Sequence, residues 1–131
     1  MASIFTKIIR GELPSYKIHE TEQVLAILTI DPIQPGHTIV FPKVEVDHFF
    51  DVGDPHYSAV FQAAKPIAKA IQAATGCLRV GVAVQGFEVP HFHLHLIPMW
   101  GTEDFDFRKA KRRPSEEMAA IQQKIVGKLV L

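Results

Sequence analysis

The chain has 131 residues, the size of one ordinary domain with a core of its own, so we expect residues 1–131 to form a single domain. Hydrophobic residues make up 47% and charged residues 21%, which is typical of a globular protein and excludes a disordered one. Fourteen basic residues balance fourteen acidic ones, so the overall charge gives no reason to expect nucleic acid or an anionic membrane as a partner.

The first half of the chain predicts one short helix followed by three strands. Ser3 is a suitable N-cap for a helix with an apolar side, which Gly11 ends. Branched apolar residues favour strands over residues 16–20, 24–30 and 37–41. This helix is followed by the first part of a sheet.

The second half predicts a long helix, two more strands and a terminal helix. Asp54 as N-cap and Pro55 at the first helical position open the long helix, and Gly76 ends it. Ser115 starts the last helix. Because strands and helices do not alternate, we predict the α+β class, with a five-stranded antiparallel sheet, one long helix and short terminal helices.

The last two strands contain the most informative stretch. A strand over residues 78–85 turns through a very short hairpin into residues 90–98, which carry three histidines at alternate positions, His91, His93 and His95. Alternation with period two predicts a half-buried strand whose apolar residues face the core while the imidazoles share the other face. The hairpin is expected to bring Gln85 and Glu88 close to His91.

A face with three imidazoles suits three roles. The histidines can ligate zinc, with His37 or Glu88 completing the set. One imidazole can attack phosphorus while its neighbours hold the phosphate oxygens and transfer protons. The third reading is a set of hydrogen-bonded histidines with a structural task. Spacing alone favours metal binding and phosphoryl chemistry equally.

Three separate blocks resemble the histidine triad family of nucleotide hydrolases and transferases. Residues 91–97 match its motif His-φ-His-φ-His-φ-φ, where φ is apolar. Residues 3–14 look like the N-terminal segment of the family, and residues 35–43 look like its Gly-His-φ-φ-φ-Pro-Lys block. The blocks occur in the right order and extend over most of the chain.

The resemblance implies an enzyme that needs no cofactor, forms a homodimer and acts on an AMP- or GMP-like nucleotide conjugate. His93 would attack the α-phosphate of a nucleoside 5′-phosphoramidate and carry the nucleotide as a phosphohistidine until water releases it. His91 and His95 would flank the phosphate, with His37 as the fourth histidine of the site. The positions that match the nucleotide-binding residues are Ile4, Phe5, Ile8, Ile27, Thr29, Ile30, Ile39 and Gln85.

The chain departs from the family at three places. Many members bind structural zinc through two cysteines and a histidine, together with the first triad histidine; the first three of these positions hold Ser3, Thr6 and Glu45 here, so we predict no metal. Thr29 replaces the aspartate that binds ribose. Glu88 stands where a hydroxyl helps protonate the leaving group, and it is a candidate acid only if its carboxyl group is buried.

Three functions therefore remain open at this point. The first is a nucleotide hydrolase that works through His93, and the second is a nucleotide-binding or interaction protein with little catalysis. The third is a metalloenzyme that uses the same histidines. The N-terminus lacks the apolar segment of a signal peptide and no stretch reaches the length of a membrane helix, so we expect a cytoplasmic protein without a membrane or nucleic-acid partner.

Overall fold

The structure is a computed structural model that describes residues 2–130. Its helices are α1 (Ile4–Ile9), α2 (His56–Thr75) and α3 (Ser115–Lys128). Its strands are β1 (Lys17–Glu20), β2 (Val24–Leu28), β3 (Thr38–Pro42), β4 (Arg79–Ala83) and β5 (Leu94–Met99). No helix within the described residues has the length and apolarity needed to cross a membrane.

The five strands form one antiparallel sheet in the order β1-β2-β3-β5-β4. The long helix α2 lies between β3 and β4 in the chain, so the histidine strand β5 inserts between them in the sheet. In that position Ile39 of β3 pairs with His95 of β5. The predicted α+β class and five-stranded antiparallel sheet are confirmed.

Alternate residues of the central strands pack into two cores on opposite faces of the sheet. On one face, Ala26, Val40 and Leu94 pack with residues of α2 and α3. On the other face, Ile27 and Ile39 belong to a smaller cluster that α1 covers through Phe5. The expectation of a half-buried histidine strand is therefore wrong, because residues 91–98 are buried on both faces.

The caps of α2 follow the sequence closely. Gly76 ends the helix in the left-handed conformation, with φ of 75°. The helix begins at His56, one residue later than predicted, but the Asp54 carboxylate still accepts a hydrogen bond from the Ser58 backbone N–H at 2.9 Å. The N-cap is therefore Pro55 and not Asp54 as predicted, although the Asp54 side chain still binds a backbone N–H of the first turn.

The connection from β4 to β5 is longer than the short hairpin that the sequence predicts. β4 ends at Ala83 and regular pairing resumes only at Leu94. Between them, the Phe92 N–H donates to the Val46 carbonyl at 2.7 Å, so the chain bonds to the segment after β3 instead of to β4. This detour places His91 and His93 just before the strand rather than within it.

Candidate active site

A cavity of about 650 Å³ opens on the face of the sheet that α1 covers. Its walls come from α1, the ends of β2 and β3, the β4–β5 connection and the segment after β5. The residues predicted to hold the nucleotide all line it: Ile4, Phe5, Ile8, Ile27, Thr29, Ile30, Ile39 and Gln85. Three of the four predicted histidines, His37, His93 and His95, line the same cavity.

The His93 ring is held in one tautomer. Its Nδ1 lies 2.7 Å from the carbonyl oxygen of His91, and because a carbonyl only accepts, Nδ1 carries the proton and donates it. The other nitrogen, Nε2, then has a free electron pair in the neutral ring. Burial lowers the pKa of His93 below its usual range, although the His91 carbonyl opposes this shift. His93 is therefore a neutral imidazole with a nucleophilic Nε2 at the cavity.

A second histidine pair lies beside His93. The Ile33 backbone N–H donates to Nδ1 of His37 at 3.1 Å, so this nitrogen is an acceptor and His37 carries its proton on Nε2. That proton is donated to Nδ1 of His95 across 2.9 Å. His95 consequently keeps its own proton on Nε2 and is a hydrogen-bond donor whose ring centre lies 4.9 Å from that of His93.

The surroundings keep this pair uncharged at neutral pH. Burial, followed by the neighbouring His95 and His93, lowers the pKa of His37 to about 3. Burial, followed by His93, lowers the pKa of His95 to about 4. The cavity thus contains three neutral imidazoles, one presenting a lone pair and one presenting an N–H.

His91 does not line the cavity, so the expectation that it flanks the phosphate needs correction. The side chain is fully buried, and its Nε2–H donates to the Pro42 carbonyl at 2.9 Å. Its Nδ1 accepts the proton of the Ser3 hydroxyl at 2.8 Å. Both nitrogens therefore bind groups other than a substrate, and the backbone carbonyl of His91 accepts the hydrogen bond from Nδ1 of His93.

Ser3, Thr6 and Glu45 form a hydrogen-bonded network around His91. The Glu45 carboxylate accepts from the Ser3 backbone N–H at 2.6 Å and from the Thr6 hydroxyl at 2.7 Å. The Ser3 hydroxyl also accepts from the Thr6 backbone N–H at 3.1 Å and so caps α1. These two contacts with Glu45, led by the Ser3 N–H, lower the pKa of the Glu45 carboxyl group to about 2. The network attaches α1 to the segment that carries the triad.

These four residues occupy the positions that the family resemblance links to structural zinc, but their chemistry does not fit it. Zinc binds thiolate, imidazole nitrogen or carboxylate. Ser3 and Thr6 offer neutral hydroxyls, and both nitrogens of His91 are engaged. Among residues 2–130, no group of three histidine, cysteine, aspartate or glutamate side chains converges as a metal site. Hydrogen bonds join these four side chains to one another or to the neighbouring backbone.

Glu88 does not have the surroundings that the role of an acid requires. It lines the cavity with His93 and His95, whereas His91 is absent from the cavity wall. The side chain is exposed, so the burial that an acid role would require is missing. The adjacent Phe87 is 92% exposed. Both residues belong to the β4–β5 connection, which is longer than the hairpin that the sequence predicts.

Sequence reasoning missed several lining residues, of which Phe107 has the closest contact with the histidines. Its ring centre lies 4.8 Å from that of His95 and 6.0 Å from that of His37. The aromatic and charged run after Pro98 was a weak signal of a segment that covers the site. Asp31 and Ala110 also line the cavity. Their segments are adjacent, because the Lys111 backbone N–H donates a hydrogen bond to the Pro32 carbonyl.

The amino-acid sequence is similar to a known family model and to a named relative. A family model described as HIT domain matches residues 10–101, which is more than half of the chain. The chain is 33% identical over 132 residues to adenosine 5′-monophosphoramidase HNT1 of Saccharomyces cerevisiae, and the match covers 92% of this chain and 84% of that protein.

Two solved structures share the whole architecture. A Hit-like protein from Bartonella henselae has a TM-score of 0.84 and 30% identity, with 97% of this chain and 96% of that chain covered. A zinc-bound histidine triad family protein from Mycobacterium smegmatis has a TM-score of 0.83 and 25% identity, with coverage of 98% and 93%.

Proposed function

The chain belongs to the histidine triad family, and we propose that it hydrolyses nucleoside 5′-phosphoramidates or related conjugates through a phosphohistidine at His93. At family level, nucleotide hydrolysis is supported because yeast relatives carry the name adenosine 5′-monophosphoramidase. The substrate class and the roles of individual residues are our proposal for this chain.

The orientation of His93 is the observation that carries the proposal. A metal ligand and a nucleophile both need a free nitrogen lone pair, but a metal also needs a second donor directed at the same point. In the neighbouring pair, Nδ1 of His95 accepts from His37 and the remaining nitrogen carries a proton. One lone pair beside one N–H suits attack on a phosphate whose oxygen accepts that N–H.

The reaction follows from this arrangement. Nε2 of His93 forms a bond to the α-phosphorus, and the bond from phosphorus to the leaving nitrogen breaks with its electron pair on nitrogen. The leaving amine takes a proton from water at the open mouth of the cavity. The His95 N–H donates to a phosphate oxygen on which charge builds up. A second water then attacks phosphorus, the bond from phosphorus to Nε2 breaks with its electron pair on Nε2, and the proton of this water passes to the hydroxide left by the first step. AMP is released and His93 returns to its neutral form.

The apolar slot supports nucleoside recognition beside the reacting phosphate. Phe5 contributes to it, and its ring centre lies 4.8 Å from that of His93, so a base packed on α1 would bring its own α-phosphate to the nucleophile. Such positioning converts an attack on a free substrate into an intramolecular step. A nucleotide-binding protein without turnover would have the same slot but would not form the phosphohistidine.

The wild-type protein is expected to release AMP from adenosine 5′-phosphoramidate, and the rate is expected to survive exhaustive chelation. Release is followed by chromatography before and after dialysis against a strong chelator. Loss of activity on chelation that added zinc restores would favour a metalloenzyme. Tight AMP binding without any release would favour the nucleotide-binding protein instead.

Thr29→Asp is expected to strengthen AMP binding by about tenfold, because a carboxylate accepts both ribose hydroxyls through charge-assisted hydrogen bonds. Thr29 lines the cavity and its backbone N–H donates to the His37 carbonyl at 3.2 Å, so the position is fixed next to the histidine pair. Calorimetry of AMP binding measures the change. Thr102→Asp, an exposed control outside the cavity wall, should leave affinity unchanged; equal affinity for Thr29→Asp would contradict the ribose assignment.

We also propose that two copies join through β4. This strand is at the edge of the sheet and pairs with β5 alone, while Val82 is 54% exposed and Leu78, beside the strand, is 69% exposed. An unpaired apolar edge is a template for a second strand, and two antiparallel β4 edges can pair with each other. Val82→Lys is expected to give a monomer in sedimentation, whereas Val126→Lys, an exposed apolar position on α3, should remain dimeric. A wild-type monomer would overturn this proposal.

A further inference from the structure

The charged side chains that line the cavity are carboxylates. Its lining contains two carboxylates, Asp31 and Glu88, and among the described residues it contains no lysine or arginine. The histidines supply no compensating charge, because burial keeps His37 and His95 neutral at ordinary pH. Within the described residues, the wall itself therefore presents carboxylates but no lysine or arginine side chain.

The two carboxylates differ in their surroundings. Asp31 is paired with Arg112, whose Nε lies 3.2 Å from Oδ1. Within residues 2–130, Glu88 has no side-chain partner of opposite charge, and it is exposed in the middle of the β4–β5 connection. Its field reaches the nucleophile, since it is one of the groups that raise the pKa of His93 against the effect of burial. The apolar residues of α1, β2 and β3 are assigned to the nucleoside, so the exposed part of the wall that contains Glu88 is left for the group that departs from phosphorus.

We propose that Glu88 is a specificity-determining residue that favours conjugates whose leaving amine carries a positive charge. This inference rests on the proposed function and names the substrate class of the same site. Glu88 acts on the side chain of the leaving amine through its charge and takes part in no bond change. The Glu88 carboxylate attracts an ammonium group on the leaving amine and repels a carboxylate or further phosphate groups. It has no net electrostatic interaction with a neutral alkyl group.

The same charge distribution disfavours polyphosphates. A nucleoside triphosphate would bring several negative charges to a wall without lysine or arginine, which is the opposite of the cationic clamp that polyphosphate sites present. The leaving group that fits best is therefore an amine, and preferably one with a second amino group.

Three adenosine 5′-phosphoramidates of equal chain length test the proposal. The leaving amine ends in an ammonium group, a methyl group or a carboxylate, and kcat/KM is measured for wild type, Glu88→Gln and Glu88→Ser. Wild type is expected to prefer the ammonium over the carboxylate conjugate by about tenfold, because an exposed charge contact changes each rate by a few-fold in opposite directions. Both variants should reduce this ratio to about one, with each rate expressed relative to that of the methyl conjugate in the same protein.

Glu22→Gln is the matched control, since Glu22 is exposed and lies outside the cavity wall. It should keep the wild-type ratio, and raised salt should weaken the ratio in both proteins. Turnover that depends on His93 but shows equal rates for the three conjugates, or a ratio that survives Glu88→Gln, overturns the role of Glu88 and leaves the proposed function intact. Absence of turnover with every conjugate overturns the proposed function and this inference together.

Discussion

His93→Ala is expected to lower the rate of AMP release from adenosine 5′-phosphoramidate by at least about a thousandfold, because it removes the atom that forms the covalent intermediate. The other histidines cannot substitute for it. In the observed tautomers, His95 presents a protonated nitrogen and donates, while both nitrogens of His37 are engaged in hydrogen bonds. Single-turnover kinetics on wild type and variant measure the difference.

Two further measurements separate lost chemistry from lost structure. Wild type stopped in alkali during turnover should carry one nucleotide on the protein by intact mass, and His93→Ala should carry none. His48→Ala, which removes an exposed histidine outside the cavity, should keep the wild-type rate and adduct. Equal AMP release by wild type and a folded His93→Ala would rule out the assigned nucleophile.

Acid is expected to destabilise the protein well before its carboxylates titrate. Burial lowers the pKa of His37 to about 3 and that of His95 to about 4, whereas the unfolded chain binds these protons near the ordinary value of 6.5. Between these limits the unfolded state holds more protons, so the free energy of unfolding falls as the pH falls. Each of the two histidines contributes a loss of about 2 kcal/mol by about pH 5.

Urea unfolding at about pH 7.5 and about pH 5 measures this loss. His37→Asn removes one of the titrating groups, so it should be less stable at neutral pH but lose less stability between the two values. His48→Ala should show the full wild-type dependence, since it leaves the buried pair in place. A free energy of unfolding that is flat over this range would contradict the assignment of neutral buried histidines.

The order and type of the elements were predictable because each depends on local patterns. Alternation of apolar and polar residues identified the strands, and helical spacing identified the helices. Gly76 was predicted to end α2 and is its C-cap. The lining of the cavity was predictable for a different reason, since the resemblance connected residues from α1, β2 and β3 that lie far apart in sequence. All of those residues line the cavity.

The placement of His91 was not predictable from its spacing. Alternation assigns a face to a residue, but it does not say whether that residue pairs with the next strand or with a loop. The Phe92 N–H bonds to Val46 of a distant segment, and the chain leaves the sheet there. Ser3 then reaches the imidazole of His91 from a position 88 residues away in sequence.

The tautomers of the histidines could not be predicted from the sequence either. A histidine carries no local mark of which nitrogen holds the proton, because the partner of the other nitrogen decides it. Here the deciding partners are the Ile33 N–H for His37 and the carbonyl of His91 for His93. Both are backbone groups whose positions follow only from the assembled fold.

The network that joins Ser3, Thr6 and Glu45 to His91 has a consequence for biosynthesis. Its hydrogen bonds form between groups of the chain itself, so the helix α1 docks fully only when both the segment after β3 and the segment that carries His91 are in place. Oxidants that attack the thiolates of a cysteine–zinc cluster find no target in the side chains of Ser3, Thr6 and Glu45.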